Sequence, residues 1–298
     1  MKRSWRLFFS SAVILTVLGL GSCDLLYSGK NLFSALDGPD VSALKSATST
    51  SLIDALLAEQ DGESGTFGDT FVEKITADPE AVDTIYSNLE DIFTNSNTYD
   101  PDTRVDAASL AAELILATSD TAGAVIDNVV SAIVSLSSDP ENTDFTADEL
   151  AVALLSSIAP SREAFIALAT DLDRIASAYD ALGSALVDGG NTALDAGDGQ
   201  TALIAFTLSA IVDAVQVNSG ENPAEKLYDQ LIGPALRGEE ITADIINNLF
   251  STSIITPNGA DNLQNALDSV LQPNTGSARD KLYTATGIAS LINLLGGN

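Results

Sequence analysis

The chain has no histidine among its 298 residues. That excludes His-based triads and histidine general bases. It also removes the nitrogen ligand of ordinary zinc sites. Cysteine occurs once, so no disulfide closes within the chain and no thiolate metal cluster can form. Basic residues number 13 against 42 acidic ones, giving a net charge of −29. A surface so negative repels phosphate backbones and anionic headgroups, so nucleic acid is not the expected partner. Aromatic residues make up 6% of the chain, with a single tryptophan, Trp5. Sugar sites and quaternary-amine cages lean on aromatic faces and are disfavoured here.

Catalytic motifs are missing as well. There is no G-x-S-x-G elbow and no G-x-x-x-x-G-K phosphate loop. With 42 acids, some carboxylate pair can always be drawn, so pairing alone carries no signal for glycoside chemistry. Lys226 and Lys281 fall in amphipathic stretches and read as surface residues. The chain reads as no enzyme, and no cofactor is implied. Acid-rich loops occur at 138–149 (Asp139, Glu141, Asp144, Asp148, Glu149) and around Asp100, Asp102 and Asp106. Neither has the alternating ligands, central glycine and closing glutamate of an EF-hand loop, and DAGDGQ at 195–200 lacks the later acid. They read as helix caps and solvated loops, and no metal site is expected.

What is present starts at the first residues. Lys2, Arg3 and Arg6 precede an apolar run from Leu7 to Gly21, and Leu20-Gly21-Ser22-Cys23 follows. The run is shorter than the ~20 residues of a spanning helix and suits a secretory signal. The segment 1–23 resembles a bacterial lipoprotein precursor with its lipobox. The resemblance implies cleavage between Ser22 and Cys23, diacylglyceryl transfer to the Cys23 thiol, and acylation (palmitate or a like chain) of the new amino terminus. Two or three chains hold a protein on a bilayer far better than one. The implied location is the cell envelope, lipid-anchored and facing the periplasm or exterior. Asp24 resembles the inner-membrane retention signal of enterobacteria. A plain signal peptide or an uncleaved anchor are the other readings of the same residues.

The expected organisation is a signal peptide at 1–22, a lipidated tether at 23–40, and one all-helical domain at 41–298. Loss of the three signal basics leaves 276 residues with 10 basic and 42 acidic side chains, a charge of −32. Disorder is not implied, because 45% of the residues are hydrophobic. From Val41 onward apolar residues recur at three and four. Val82, Ile85, Leu89, Ile92 and Phe93 share one face, as do Val105, Leu110, Leu114 and Ile115. Further helices are expected near 122–136, 147–158, 162–187, 200–217, 223–236, 242–252, 260–271 and 277–295. Thr76, Thr146 and Thr242, each opening a T-A-D triplet, are the expected N-caps, with Asp78, Asp148 and Asp244 near the positive helix end. Pro101 and Pro223 suit position N1. Phe165, Tyr179, Phe206, Tyr228, Phe250 and Tyr283 read as core.

The stretches 85–119 and 129–161 each join two helices through a polar loop, at an offset of about 40 to 44 residues that is near that of HEAT-like helix pairs. LVDGGNTALDAGDGQTALIAFTLSA (186–210) resembles a single tetratricopeptide unit through Gly190, Gly197, Ala202, Phe206 and Ser209. The family's early large aromatic and closing proline are missing. Read from the residues alone, Gly189-Gly190 breaks a helix and Gly197–Gly199 makes a turn. The expected fold is all-α: an irregular helical bundle or a short α-solenoid. The expected function is a non-catalytic adaptor or scaffold that binds a protein partner at the membrane. The alternative is a carrier, associated with a membrane transporter, that holds a solute or lipid between helices such as 122–136 and 201–217.

Overall fold

The computed structural model describes residues 40–60, 66–78, 80–119, 121–123, 125, 161–250, 265–266, 268–271 and 273–289. They fold as helices: α1 Val41–Ser46, α2 Thr50–Leu57, α3 Asp69–Thr76, α4 Ala81–Thr94, α5 Pro101–Thr118, α6 Arg162–Val187 and α7 Ala196–Asp213. The short helix α8, Pro223–Leu227, runs through a π-turn, Tyr228–Ile232, into α9, Gly233–Leu236. Helices α10, Ala243–Phe250, and α11, Ala278–Ala285, follow. No strand forms among the described residues; Gln60 and Phe67 make one isolated antiparallel bridge. The all-α expectation holds.

Caps explain most helix starts. Asp40 accepts from the Ser42 and Ala43 N–H groups, Asp100 from Thr103, Ser161 from Ala164, Asn222 from Ala224 and Glu225, and Ser277 from Asp280. Each satisfies a donor that the helix itself leaves unpaired. Pro101 and Pro223 sit at N1 as expected. Thr242 accepts from Ile245 N–H at 3.4 Å at the head of α10. Thr76 departs from expectation. It is the last residue of α3, and its hydroxyl donates back to the Val72 carbonyl at 2.7 Å. The turn before α4 is made by Asp78, which accepts from Glu80 N–H. The expected cap at Thr146 lies outside the described residues.

Helix α7 starts four residues earlier than expected. Asp195 and Asp198 form a reciprocal capping box that carries Gly197 and Gly199 into the first helical turn rather than into a separate turn. Of the expected helix over 277–295, α11 covers Ala278–Ala285 and is broken at Gly287, which takes a left-handed φ of +76°; 290–295 lie outside the described residues. The stretch 223–236 is continuous but changes pitch. Pro234 has no N–H to give, and Gly233 N–H reaches the Tyr228 carbonyl, five residues back.

Helix α6, 26 residues and about 39 Å long, is the centre of the assembly. It packs against α4, α5, α7, α8, the π-turn and α11. A solenoid restricts each unit to its chain neighbours, so this arrangement is a bundle. Ala107, Ala108, Ala111 and Ala112 are buried on α5 and let α4 and α6 approach closely. The larger apolar cluster runs from Leu44 through Leu89, Phe93, Leu114, Leu172 and Leu182 to Phe206 and Tyr283. A smaller one gathers Phe165, Val215, Leu227, Ile232, Leu249 and Phe250. Of the expected core aromatics, Tyr228 alone is only partly buried; its ring lies 5.9 Å from that of Phe165.

The α6–α11 contact depends on Gly183. A Cβ there would lie 2.4 Å from the Ala278 carbonyl oxygen. Gly183→Ala is expected to lose about 1–3 kcal/mol in urea unfolding, because two backbones must move apart. An unchanged midpoint would show that α11 does not pack there.

Candidate binding cleft

Among the described residues an open cleft of about 670 Å³ lies between α6, α7 and the segment leading into α11. Helix α6 contributes Asp173, Ala176, Ser177 and Asp180, which fall on one face at intervals of three and four. Helix α7 and its exit contribute Phe206, Ser209, Ala210, Asp213, Ala214, Val215 and Gln216, with Ala266, Ser269 and Arg279 opposite. Ala176, Phe206 and Val215 form a buried floor, and Asp173 and Asp213 stand exposed at the mouth.

Charges in the cleft are unequally partnered. Arg279 grips Asp180 through two hydrogen bonds of 2.9 Å, from Nε and from a terminal nitrogen. The same guanidinium lies 4.5 Å above the centre of the Phe206 ring. The fork-to-carboxylate pairing holds Arg279 protonated more firmly than usual. Asp173 accepts one hydrogen bond, from Ser209 at 2.7 Å. Neither Asp173 nor Asp213 has an ion-pair partner among the described residues. Partial enclosure, and then the like charge of Asp173, raise the Asp213 carboxyl above the ordinary range. Asp173 and Asp213 are thus the carboxylates of the cleft lining that no cation of the described residues pairs, while Asp180 is taken by Arg279.

A second acidic group lies inside the bundle. Glu113 of α5 is pushed up to about 7 by burial, against the hydrogen bond from Gln60. Asp198, also raised by burial, accepts from the Asp195 N–H at 2.9 Å and from the Tyr179 hydroxyl at 3.3 Å. Tyr179 is held protonated by its burial and by Asp198.

The residues singled out from sequence distribute as follows. Ser22 and Cys23 lie outside the described residues, as does the acidic loop at 138–149. Asp100 caps α5 and Asp102 accepts from the Asn191 N–H at 2.9 Å, so both serve chain connections. No group of three or more acids among the described residues is placed to hold a metal ion. Lys281 is exposed as expected. Lys226 is not a free surface residue; its ammonium donates to the Gln216 carbonyl and leaves the side chain 21% exposed. The 201–217 stretch, expected to line a cavity, supplies one wall of the cleft, whereas most of 122–136 lies outside the described residues. No helix among the described residues is long and apolar enough to cross a membrane. Comparison with family models, curated proteins and solved structures finds no match for this chain.

Proposed function

We propose that the protein is a lipid-anchored, non-catalytic binding protein of the bacterial cell envelope that docks a basic segment of a protein partner in the α6–α7–α11 cleft. The observation that carries this reading is the pair of uncompensated carboxylates, Asp173 and Asp213, at the mouth of an open cleft. Arg279 on Asp180 and Phe206 illustrates how that wall holds a guanidinium. The strong negative charge adds long-range attraction for a basic partner.

Titration with an arginine- and lysine-rich peptide tests the docking. The Asp173→Asn/Asp213→Asn double variant should weaken binding by about tenfold or more, and added salt should weaken it further. Equal affinity for both proteins would defeat the reading. The anchor is supported by the lipobox-like Leu20-Gly21-Ser22-Cys23. Cys23→Ala should shift the protein out of the membrane fraction; retention there with unchanged mass would contradict it.

The carrier reading has an observation of its own. Half of the residues that line the cleft are small: Ala176, Ser177, Ser209, Ala210, Ala214, Ala266 and Ser269. A small amine with a short apolar body would fit that space. Binding of such an amine, with no binding of the basic peptide, would favour it.

A further inference from the structure

The cleft has two unlike ends. Helices α6 and α7 run antiparallel, with Tyr179 bonded to Asp198 and Asp173 to Ser209. Asp173 and Asp213 therefore share one end, and Asp180 and Phe206 share the other. Two helical turns part Asp173 from Asp180, so the ends lie about 10 Å apart. An extended segment covers that distance in about three residues.

The second end already holds a cation. Ser277 caps α11, and Ala278 rests on Gly183 of α6, where a Cβ would not fit. That contact sets Arg279 beside Asp180, one turn back along α6. Arg279 donates to both Asp180 oxygens, and its other terminal nitrogen reaches the Ser269 carbonyl at 3.4 Å. The same guanidinium covers the Phe206 ring at 4.5 Å. Phe206 is itself fixed: it is buried and lies edge-on to Tyr283, whose hydroxyl donates to the Val270 carbonyl at 3.1 Å. A carboxylate beside an aromatic face is a strong guanidinium seat, and a residue of this chain has taken it. A second cation arriving there meets a charge already balanced. At the first end neither Asp173 nor Asp213 is balanced by an ion pair among the described residues.

We infer that Arg279 is a specificity-determining residue of the cleft: it fills the second cation seat, and so selects a partner segment with one basic residue at the Asp173–Asp213 end and an uncharged residue about three positions along. The inference rests on the docking of a basic segment proposed above and adds a spacing rule to it.

Two alanine-based peptides of equal charge test the rule. Each carries two arginines, three positions apart in one peptide and at opposite ends in the other. Calorimetric titration of the wild-type protein should give affinities within about twofold of each other. Arg279→Gln uncovers Asp180 and Phe206 and should prefer the closely spaced peptide by about tenfold. Arg279→Lys keeps a cation on Asp180 and should behave as wild type. A purely structural role for Arg279 would move both affinities alike. Asp180→Asn serves if Arg279→Gln folds poorly: it leaves Arg279 unbalanced and should disfavour the closely spaced peptide by about fivefold. A tenfold preference for close spacing in the wild type, no preference in Arg279→Gln, or equal affinities in Asp180→Asn would overturn the inference while leaving the docking intact. Binding of neither peptide to any of the proteins would defeat the docking and the inference together.

Discussion

Replacing Asp188 with alanine should cost about 2–4 kcal/mol, more than removing its partner. Arg104 of α5 is 5% exposed and donates from Nε to the Phe93 carbonyl at 3.2 Å and from a terminal nitrogen to Asp188 at 2.7 Å. The Asp188 side chain is 50% exposed. Removing the acid strands a guanidinium in the interior, whereas removing the arginine leaves an acid that water can solvate. The half-exposed acid puts the cost toward the lower end. Arg104→Met keeps the apolar stem and leaves only the Phe93 carbonyl without its donor, a loss of about 1–2 kcal/mol. In the Asp188→Ala background, Arg104→Met should therefore restore stability. A double-mutant cycle in urea checks the sign. If Asp188→Ala were within about 0.5 kcal/mol of wild type, the pair would not be the clasp that joins the start of α5 to the end of α6.

The second large effect is on pH. Glu113 moves from the ordinary 4.5 to about 7 on folding. Between those values the folded chain binds more protons than the unfolded chain, so stability falls as pH rises. The loss from pH 5 to 8 is about 2–3 kcal/mol for this group alone. Asp198, Asp171, Asp106, Asp213 and Glu59 are raised as well and act in the same direction. Asp78, Asp100 and Glu221 are lowered; their contribution is present above the ordinary carboxylate range and is lost only as the pH falls through their depressed values. Thermal unfolding should therefore occur about 5–10 °C higher at pH 5 than at pH 8. Glu113→Gln should remove most of that difference by stabilising the protein at pH 8. A midpoint that rises from pH 5 to 8 would contradict the assignment.

The helices were legible because their signals are local. The 162–187 segment carries apolar residues at helical spacing over seven turns, bounded by Ser161 and Gly189, and α6 occupies that range. Pro101 and Pro223 likewise mark real helix starts. Thr76 misled because a hydroxyl before an Asp-Pro pair can equally close the preceding helix, and the choice depends on what α3 packs against. Gly197 and Gly199 read as a turn because glycine disfavours helix, and the Asp195–Asp198 box overrides that preference.

The cleft was only half legible. The 201–217 wall follows from its apolar pattern, but Asp173, Asp180 and Arg279 are separated by up to 106 positions and look like ordinary surface charges. They meet only because α11 returns to α6 over Gly183. Glu113 was missed for a related reason. Its neighbours along α5, Ala111, Ala112, Leu114 and Ile115, signal a buried helix, while nothing local distinguishes a buried acid from a solvent-facing one.

Native mass spectrometry of the protein extracted gently from its own membrane, wild type beside Asp173→Asn/Asp213→Asn, tests the central proposal most directly. A lipidated chain carrying a basic protein adduct that the double variant loses is the expected result. A bare lipidated monomer in both samples, or an adduct that the double variant retains, would contradict the assignment of the cleft.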